Sequence, residues 1–171
     1  MKPCHHAVLS MGFRMDFPAG SRDSMPRVYN SIVVPAPVEE VWARIRDFHD
    51  FSWAPTLIAS CEKVGEGDGA TVGARRLLNG VFLDTLVGYS ALERRIVYTI
   101  DDAPSPISPR EIRNYVGTLH LLPVTAADAT FAEWSGSWEA GGDAGVAYMD
   151  GIYRSLLHDL AAGFGERAHA R

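Results

Sequence analysis

The sequence has few cysteines and no long apolar run, and each shortage excludes a class of protein. Cys4 and Cys61 are the only cysteines among 171 residues, so the chain carries no disulfide framework. This scarcity favours a reducing compartment, and we expect a cytoplasmic location. Every apolar run is far shorter than the roughly 18 residues that a membrane helix needs, so we expect no integral membrane association.

Positive charge and metal-ligand spacings are also scarce. The chain has 16 lysine and arginine residues against 21 aspartate and glutamate residues, and its basic residues never cluster beyond a pair. Phosphate backbones are recognised by basic patches, so a nucleic-acid partner is not expected. His5 and His6 form the only histidine pair at close spacing, and no Cys-x-x-Cys occurs. We predict neither a metal site nor a cofactor.

The composition is typical of a globular domain, with 47% hydrophobic and 22% charged residues. Residues 1–25 show no sustained period and predict an irregular leader, whereas residues 26–168 predict a single domain. Met25 immediately precedes the first convincing strand. The simplest hypothesis is that translation begins at Met25 and not at Met1, and intact-mass measurement of the native protein would test it.

The most informative segment joins a strand to an amphipathic helix. Ile32-Val-Val34 is β-branched and favours a strand, and Pro35 and Pro37 lack the amide proton that a sheet ladder needs. Pro37 also suits the start of a helix. Apolar residues then recur at helical spacing and predict one buried face: Val38, Val41, Trp42, Ile45 and Phe48.

Strand signals follow in series, and a long helix ends the chain. Asp47–Pro55 is rich in aromatic residues and indicates a second short helix or an aromatic loop, and Asn79-Gly80 is a strong hairpin signal. The further predicted strands are Thr56–Val64, Thr71–Leu78, Val81–Ala91, Arg95–Ile100, Arg110–Leu122 and Thr130–Ala140, followed by a helix over Asp143–Arg167. The fold class is therefore α+β: a curved antiparallel sheet of about seven strands around a long C-terminal helix, with two short helices after the first strand.

Four segments carry a family resemblance. They are the Val34-Pro-Ala-Pro-Val-Glu-Glu-Val-Trp42 opening, Arg113–Leu119, Glu133–Gly136 and the apolar spacing from Val146 to Leu157. Together they resemble the SRPBCC/START-like helix-grip superfamily, in particular its bacterial polyketide cyclase/dehydrase-like branch. The resemblance implies a cavity between sheet and C-terminal helix that binds a small hydrophobic molecule, such as a lipid, a polyketide or another aromatic metabolite.

Two other functions stay open beside ligand binding. One is a cofactor-free cyclase, aromatase or dehydratase that uses the same cavity, and the other is a non-catalytic structural or chaperone-like partner protein. Either a monomer or a homodimer is expected.

Strand alternation and glycine positions indicate which side chains face the helix. Gly88, Gly117 and Gly136 fall within strands and predict a strongly bent sheet. An inward-facing strand arginine would need a carboxylate partner or a ligand acid, whereas on the solvent face it would need neither. The candidate cavity residues are Trp53, Arg76, Asp84, Tyr98, Tyr115, Trp134, Trp138, Met149 and Tyr153. The candidate catalytic residues are His49, Arg76, Arg113 and Tyr115.

Overall fold

Seven strands form one antiparallel sheet in the computed structural model, which describes residues 25–168. The strands are β1 (Arg27–Val34), β2 (Cys61–Val64), β3 (Arg75–Leu78), β4 (Phe82–Ser90), β5 (Arg95–Asp102), β6 (Arg113–Val124) and β7 (Ala129–Glu139), and the helices are α1 (Val38–Ile45) and α2 (Asp143–Ala168). The strand order is β1-β7-β6-β5-β4-β3-β2. Apart from Met25, the leader predicted for residues 1–25 lies outside the described residues.

The junction between β1 and α1 agrees with the sequence pattern. β1 ends at Val34, directly before Pro35, and α1 begins at Val38 with Glu39 and Glu40 in its first turn. These carboxylates lie near the positive end of the helix dipole, where negative charge is favourable. The buried face of α1 is formed by Val41, Trp42 and Ile45.

The second short helix predicted over Asp47–Pro55 is wrong, because this segment forms successive turns. The Asp47 carboxylate accepts the His49 backbone N–H at 2.9 Å, and the Asp50 carboxylate accepts the Ser52 backbone N–H at 2.8 Å. Such local bonds compete with helical hydrogen bonds and favour turns. The sheet is therefore accompanied by one short helix, and its aromatic residues pack inward from turns.

The first two strands after α1 are shorter than predicted, while the hairpin between β3 and β4 forms as expected. Asn79 and Gly80 both have positive φ angles, of 52° and 69°. The Asn79 side-chain oxygen accepts the backbone N–H groups of Ala59 and Ser60, and its Nδ2 donates to the Leu57 carbonyl. These bonds hold residues 57–60 as a loop, so β2 begins only at Cys61.

The glycines of β6 and β7 make room for buried tyrosines. Gly117 and Gly136 face each other across the two strands. A Cβ at Gly117 would lie 2.4 Å from the Tyr98 ring, and one at Gly136 would lie 2.7 Å from the Tyr115 hydroxyl. Gly88 lies at a register shift between β4 and β5, where a bulge bends the strands.

The long helix α2 covers only part of the inner face of the sheet. It packs against β1 and β7, where its Tyr153 ring stacks on Trp134 at 5.0 Å between centroids. Its buried face comprises Met149, Tyr153, Leu156, Leu157, Asp159, Leu160 and Phe164. Among residues 25–168, no helix has the length and apolar character to cross a bilayer. The part of the inner face formed by β3, β4 and β5 is left for a cavity.

Candidate functional site

A cavity of about 340 Å³ lies between the sheet and α2. It is enclosed by inward side chains of β3, β4, β5 and β7, by one face of α2 and by the turns before β2. Most of its lining is apolar, and a cavity of this size suits a small organic molecule. The charged side chains in its lining are those of Arg76 and Asp84.

Arg76 and Asp84 form a buried ion pair across neighbouring strands. They are directly opposite each other in β3 and β4, so both side chains project to the same face of the sheet. Arg76 Nε and Nη2 donate to the same carboxylate oxygen, Asp84 Oδ2, at 3.0 and 2.9 Å. From the sequence, Arg76 could face either the solvent or the interior. In the structure it faces inward, and the carboxylate of Asp84 neutralises its charge.

The aromatic turns hold the guanidinium of Arg76 from the other side. Its Nη1 donates to the Phe48 carbonyl at 3.0 Å, and its Cζ lies 3.7 Å from the centroid of the Phe48 ring. The rings of Phe51 and Tyr98 also lie within cation–π range, at 4.4 and 5.4 Å. Arg76 thus has contacts with β4, with β5 and with the turns after α1, and these contacts restrict its orientation.

Only one oxygen of Asp84 accepts hydrogen bonds from the described residues. Asp84 Oδ1 is buried, and no hydrogen bond reaches it from the described residues. Burial raises the pKa of Asp84 above its usual value, and the charge of Arg76 opposes that rise. A buried carboxylate oxygen without a donor is costly, which agrees with the raised pKa.

A chain of hydrogen-bonded hydroxyl groups crosses the cavity floor. Trp134 Nε1 donates to the Tyr98 hydroxyl at 3.0 Å, and the Tyr98 hydroxyl is 3.0 Å from the Tyr153 hydroxyl. The Tyr153 hydroxyl is also hydrogen-bonded to that of Tyr115. Burial raises the pKa of Tyr98 to about 12, and it raises the pKa values of Tyr115 and Tyr153 well above the usual range. All three phenols therefore stay protonated at neutral pH.

The nine candidate cavity residues divide into two groups. Six line the cavity: Arg76, Asp84, Tyr98, Trp134, Met149 and Tyr153. The other three are buried beside it. Trp53 stacks on Phe51 and donates its Nε1 to the Asp50 carbonyl, and Tyr115 stacks on Trp138 behind Tyr153.

Two of the candidate catalytic residues lie away from the cavity. The His49 ring lies beside the start of β3, where its Nε2 is 3.1 Å from the Arg75 carbonyl. Arg113 is exposed at the start of β6. Of the four candidates, only Arg76 lines the cavity itself, and Tyr115 reaches it through its hydrogen bond to Tyr153.

Several lining residues were missed by sequence reasoning. Ile152 and Leu156 lie three residues after Met149 and Tyr153, and Tyr148 lies four residues before Ile152, so a helical pattern could have found these three. Leu78 and Phe82 lie two residues from Arg76 and Asp84 on the same strand faces, so alternation could have found them as well. The remaining missed residues come from turns and loops, where alternation carries no signal: Phe51, Leu57, Ile58, Asn79, Val81 and Pro104.

Within residues 25–168, no group of three or more His, Cys, Asp or Glu side chains is placed to hold a metal ion. The cavity lining itself offers one ion pair, a row of phenols and an apolar wall. It can enclose an apolar molecule and hydrogen-bond to it at a few points.

Comparison with known proteins agrees with this geometry. Residues 25–165 match the family described as "Polyketide cyclase / dehydrase and lipid transport". A solved structure from Nitrosospira multiformis is 67% identical, covers 84% of this chain and 99% of its own, and has a TM-score of 0.82. The protein XoxI from Bacillus cereus is 26% identical, with coverages of 85% and 99% and a TM-score of 0.71.

A plant protein shares the fold at much lower identity. The ginseng major latex-like protein 151 from Panax ginseng is 14% identical, with coverages of 82% and 97% and a TM-score of 0.67. No curated protein matches the chain. Since the family match spans almost all of the described residues and the sheet and helices follow the helix-grip arrangement, this chain belongs to the polyketide cyclase/dehydrase and lipid transport family of the SRPBCC superfamily.

Proposed function

We propose that this protein binds a small hydrophobic molecule, such as a lipid, a polyketide or another aromatic metabolite, between the sheet and α2. The observation that carries the proposal is the cavity of about 340 Å³ with a mainly apolar lining and one buried ion pair. Apolar walls supply the binding free energy, and a few polar groups orient the ligand. Family membership supports the same reading.

Native mass spectrometry of the protein purified from its own host tests this proposal. We expect a retained small molecule that is released on denaturation. The comparison variant is Ile152→Trp. Ile152 is half-buried on α2 and lines the cavity, so the larger tryptophan side chain should fill part of the ligand space. Loss of the retained mass in this variant would locate the ligand, whereas an empty wild-type protein would contradict the proposal.

A second candidate is a cofactor-free cyclase, aromatase or dehydratase. The observation that favours it is that Asp84, Tyr98 and Tyr153 line one cavity. A carboxylate can remove a proton next to a ketone, and a phenol hydroxyl can donate to the resulting enolate oxygen. The test uses 1-(2-naphthyl)butane-1,3-dione in D₂O. NMR follows the replacement of the protons on C2, the carbon between its two carbonyl groups, by deuterium. Exchange faster than in buffer would favour an enzyme, and exchange at the buffer rate would favour a binder.

The remaining expectations concern the setting of the protein. A cytoplasmic location, a monomer or homodimer, and the absence of a nucleic-acid partner stay predictions. A structural or chaperone-like role is the third alternative. It is supported less than binding, because such a role would not require an open cavity of this size.

A further inference from the structure

We infer that Asn79 is a positioning residue for ligand binding, because it holds Leu57 and Ile58 in the wall of the cavity. This inference rests on the proposed function and deepens it, since it names a residue that sets the affinity for the bound molecule. Its effect is assigned to the loop of residues 57–60, and it requires no polar contact between Asn79 and the ligand.

Loop 57–60 supplies two apolar side chains to the cavity. Leu57 and Ile58 are both half-buried and belong to the lining. The loop forms neither a helix nor a strand, since β2 begins only at Cys61. A segment without a regular hydrogen-bond pattern keeps one position only where other groups bond to its backbone. The place of Leu57 and Ile58 in the wall therefore depends on the bonds of this loop.

Asn79 supplies those bonds from the tip of the β3–β4 hairpin. Its Oδ1 accepts the backbone N–H groups of Ala59 and Ser60 at 2.8 and 3.2 Å. Its Nδ2 donates to the Leu57 carbonyl at 2.9 Å, and its backbone N–H donates to the Ser60 carbonyl at 2.9 Å. One side chain thus bonds both ends of the loop.

The loop's other backbone hydrogen bond stays within its own part of the chain. The Ile58 N–H donates to the Ala54 carbonyl at 3.0 Å, in the preceding turn. Among the described residues, the hydrogen bonds that attach loop 57–60 to the sheet therefore all involve Asn79. Removing its side chain would leave one of them, the bond from the Asn79 N–H to the Ser60 carbonyl.

The hairpin places Asn79 where two parts of the lining meet. The Val81 N–H donates to the Leu78 carbonyl at 3.0 Å and closes the turn, and asparagine tolerates the positive φ that this turn requires. Leu78, Val81 and Phe82 of the hairpin line the cavity as Leu57 and Ile58 of the loop do. Asn79 joins these two segments, so it fixes the distance between them.

Freeing the loop should weaken binding without changing the rest of the cavity. A ligand that contacts Leu57 and Ile58 would first have to order them. That ordering costs part of the binding free energy for each side chain that becomes fixed. In the wild type this cost is already met on folding, because Asn79 holds the loop before the ligand arrives.

The variant Asn79→Gly tests this role. Glycine removes the three side-chain hydrogen bonds and still adopts a positive φ, so the turn is kept. Isothermal titration calorimetry of the full chain with 2-naphthol should show binding at least about fivefold weaker than in the wild type. Asn114→Gly is the matched control. Asn114 also has a φ of 52° but lies on β6, away from this cavity, so this variant should bind as the wild type does.

A double-mutant cycle separates positioning from a general loss of stability. In the background Leu57→Ala/Ile58→Ala, the side chains that Asn79 positions are already truncated. Adding Asn79→Gly there should change the affinity by less than about twofold. Equal losses in the two backgrounds would overturn the inference, because Asn79 would then act through another part of the cavity.

Amide hydrogen exchange reports on the loop without any ligand. The Ala59 and Ser60 amides should exchange faster in Asn79→Gly than in the wild type. Asn79→Asp keeps the accepting oxygen and loses the Nδ2 donor, so these amides should stay protected, and its affinity should lie between those of the wild type and Asn79→Gly. Full protection in Asn79→Gly would overturn the inference, because other contacts would then hold the loop.

The calorimetric results distinguish the inference from the proposed function. Binding of 2-naphthol that is equally tight in the wild type and in Asn79→Gly would overturn the role of Asn79 and leave hydrophobic binding in place. A wild type that does not bind 2-naphthol would contradict the proposed function together with the inference.

Discussion

The absence of a side chain at Gly136 leaves the space that the hydroxyls of Tyr115 and Tyr153 occupy. A Cβ at this position would lie 2.7 Å from the Tyr115 hydroxyl and 2.9 Å from the Tyr153 hydroxyl. Gly136→Ala should therefore displace these phenols and lower the free energy of unfolding by about 1–3 kcal/mol. Urea denaturation measures the change.

Gly151→Ala is the control for that substitution. Nothing lies within 4 Å of a Cβ at Gly151 on α2, and alanine is the better helix former. This variant should gain up to about 1 kcal/mol. An unchanged stability in Gly136→Ala would show that the floor of the cavity adapts easily.

The Tyr153 hydroxyl is hydrogen-bonded to the hydroxyls of both Tyr98 and Tyr115, so removing it should break both hydrogen bonds. Tyr153→Phe is expected to lower the free energy of unfolding by about 1–3 kcal/mol at neutral pH. Tyr148 lies partly exposed at the cavity edge. Tyr148→Phe is the control and should change stability by less than about 0.5 kcal/mol.

The same tyrosines predict a loss of stability in alkali. Their pKa values are raised in the folded state, whereas in the unfolded chain they ionise near 10.0. The stability that they contribute is complete below that pH and is lost as the pH rises above it. Urea denaturation at about pH 8 and about pH 11 should show a smaller alkaline loss in Tyr153→Phe than in the wild type; equal losses would contradict this assignment.

Breaking the ion pair of Arg76 and Asp84 should lower the free energy of unfolding strongly, whereas replacing both residues should lower it much less. Arg76→Met leaves the Asp84 carboxylate buried without a partner, and a loss of about 3–5 kcal/mol is expected. The double variant Arg76→Met/Asp84→Leu should recover most of this loss. Chemical denaturation of both variants measures the difference, and equal losses would show that the pair is not coupled.

The raised pKa of Asp84 adds a pH dependence with a defined sign. The folded state binds its proton more tightly than the unfolded chain, where the usual value is 3.8. Stability from this group is therefore present below that value and is lost as the pH rises through the folded pKa. Between about pH 4 and about pH 7, the wild type should lose stability relative to the double variant. A gain over this range would contradict the assignment.

At the level of elements, a hydrogen bond attaches the residue that follows the aromatic turns to α2. The Asp159 carboxylate accepts the Thr56 backbone N–H at 2.9 Å and is itself buried. Asp159→Ala should lower stability by about 1–3 kcal/mol and speed hydrogen exchange at the Thr56 amide. The exposed neighbour in His158→Ala should leave that exchange unchanged, and unchanged exchange in Asp159→Ala would contradict the role of this bond.

The sequence predicted elements with strong local signals better than the turns and the loop before β2. β1, α1 and α2 follow from a proline break and from helical spacing, which are local signals. The turns of residues 47–55 do not, since aromatic spacing resembles a helix while Asp47 and Asp50 bond to the backbone locally. Likewise, Asn79 bonds a loop about 20 residues away, which no local pattern reveals.

At the level of the whole molecule, ligand binding should stabilise the fold. A ligand at about 100 times its dissociation constant adds about 2.7 kcal/mol to the free energy of unfolding. Thermal unfolding of the wild type with 2-naphthol should therefore shift upward, and Ile152→Trp should show little shift. The outer-face variant Leu122→Trp is the control for added bulk, since Leu122 lies on an exposed strand position, and it should respond as the wild type does. An equal shift in Ile152→Trp and the wild type would place the ligand elsewhere.

Strand alternation predicted which side chains lie on the inner face of the sheet, but not which of them line the cavity. Trp134 and Trp138 both face inward, yet only Trp134 lines the cavity, since Tyr115 stacks on Trp138. Period-two alternation gives the face of a sheet, and it carries no information on where a helix crosses that face. The position of α2 over β1 and β7 therefore could not be deduced from the pattern.

The pairing of β1 with β7 has a consequence for biosynthesis. Arg27 pairs with Ser137, so about 110 further residues must be translated after β1 before its partner strand has been synthesised. At roughly 5–20 residues per second, the ribosome needs on the order of 5–20 seconds to supply them. During that interval the β-branched residues of β1 have no strand to pair with, and the nascent chain is most exposed to aggregation. Slower translation would lengthen this interval, and the yield of folded protein should then depend on chaperones that cover β1.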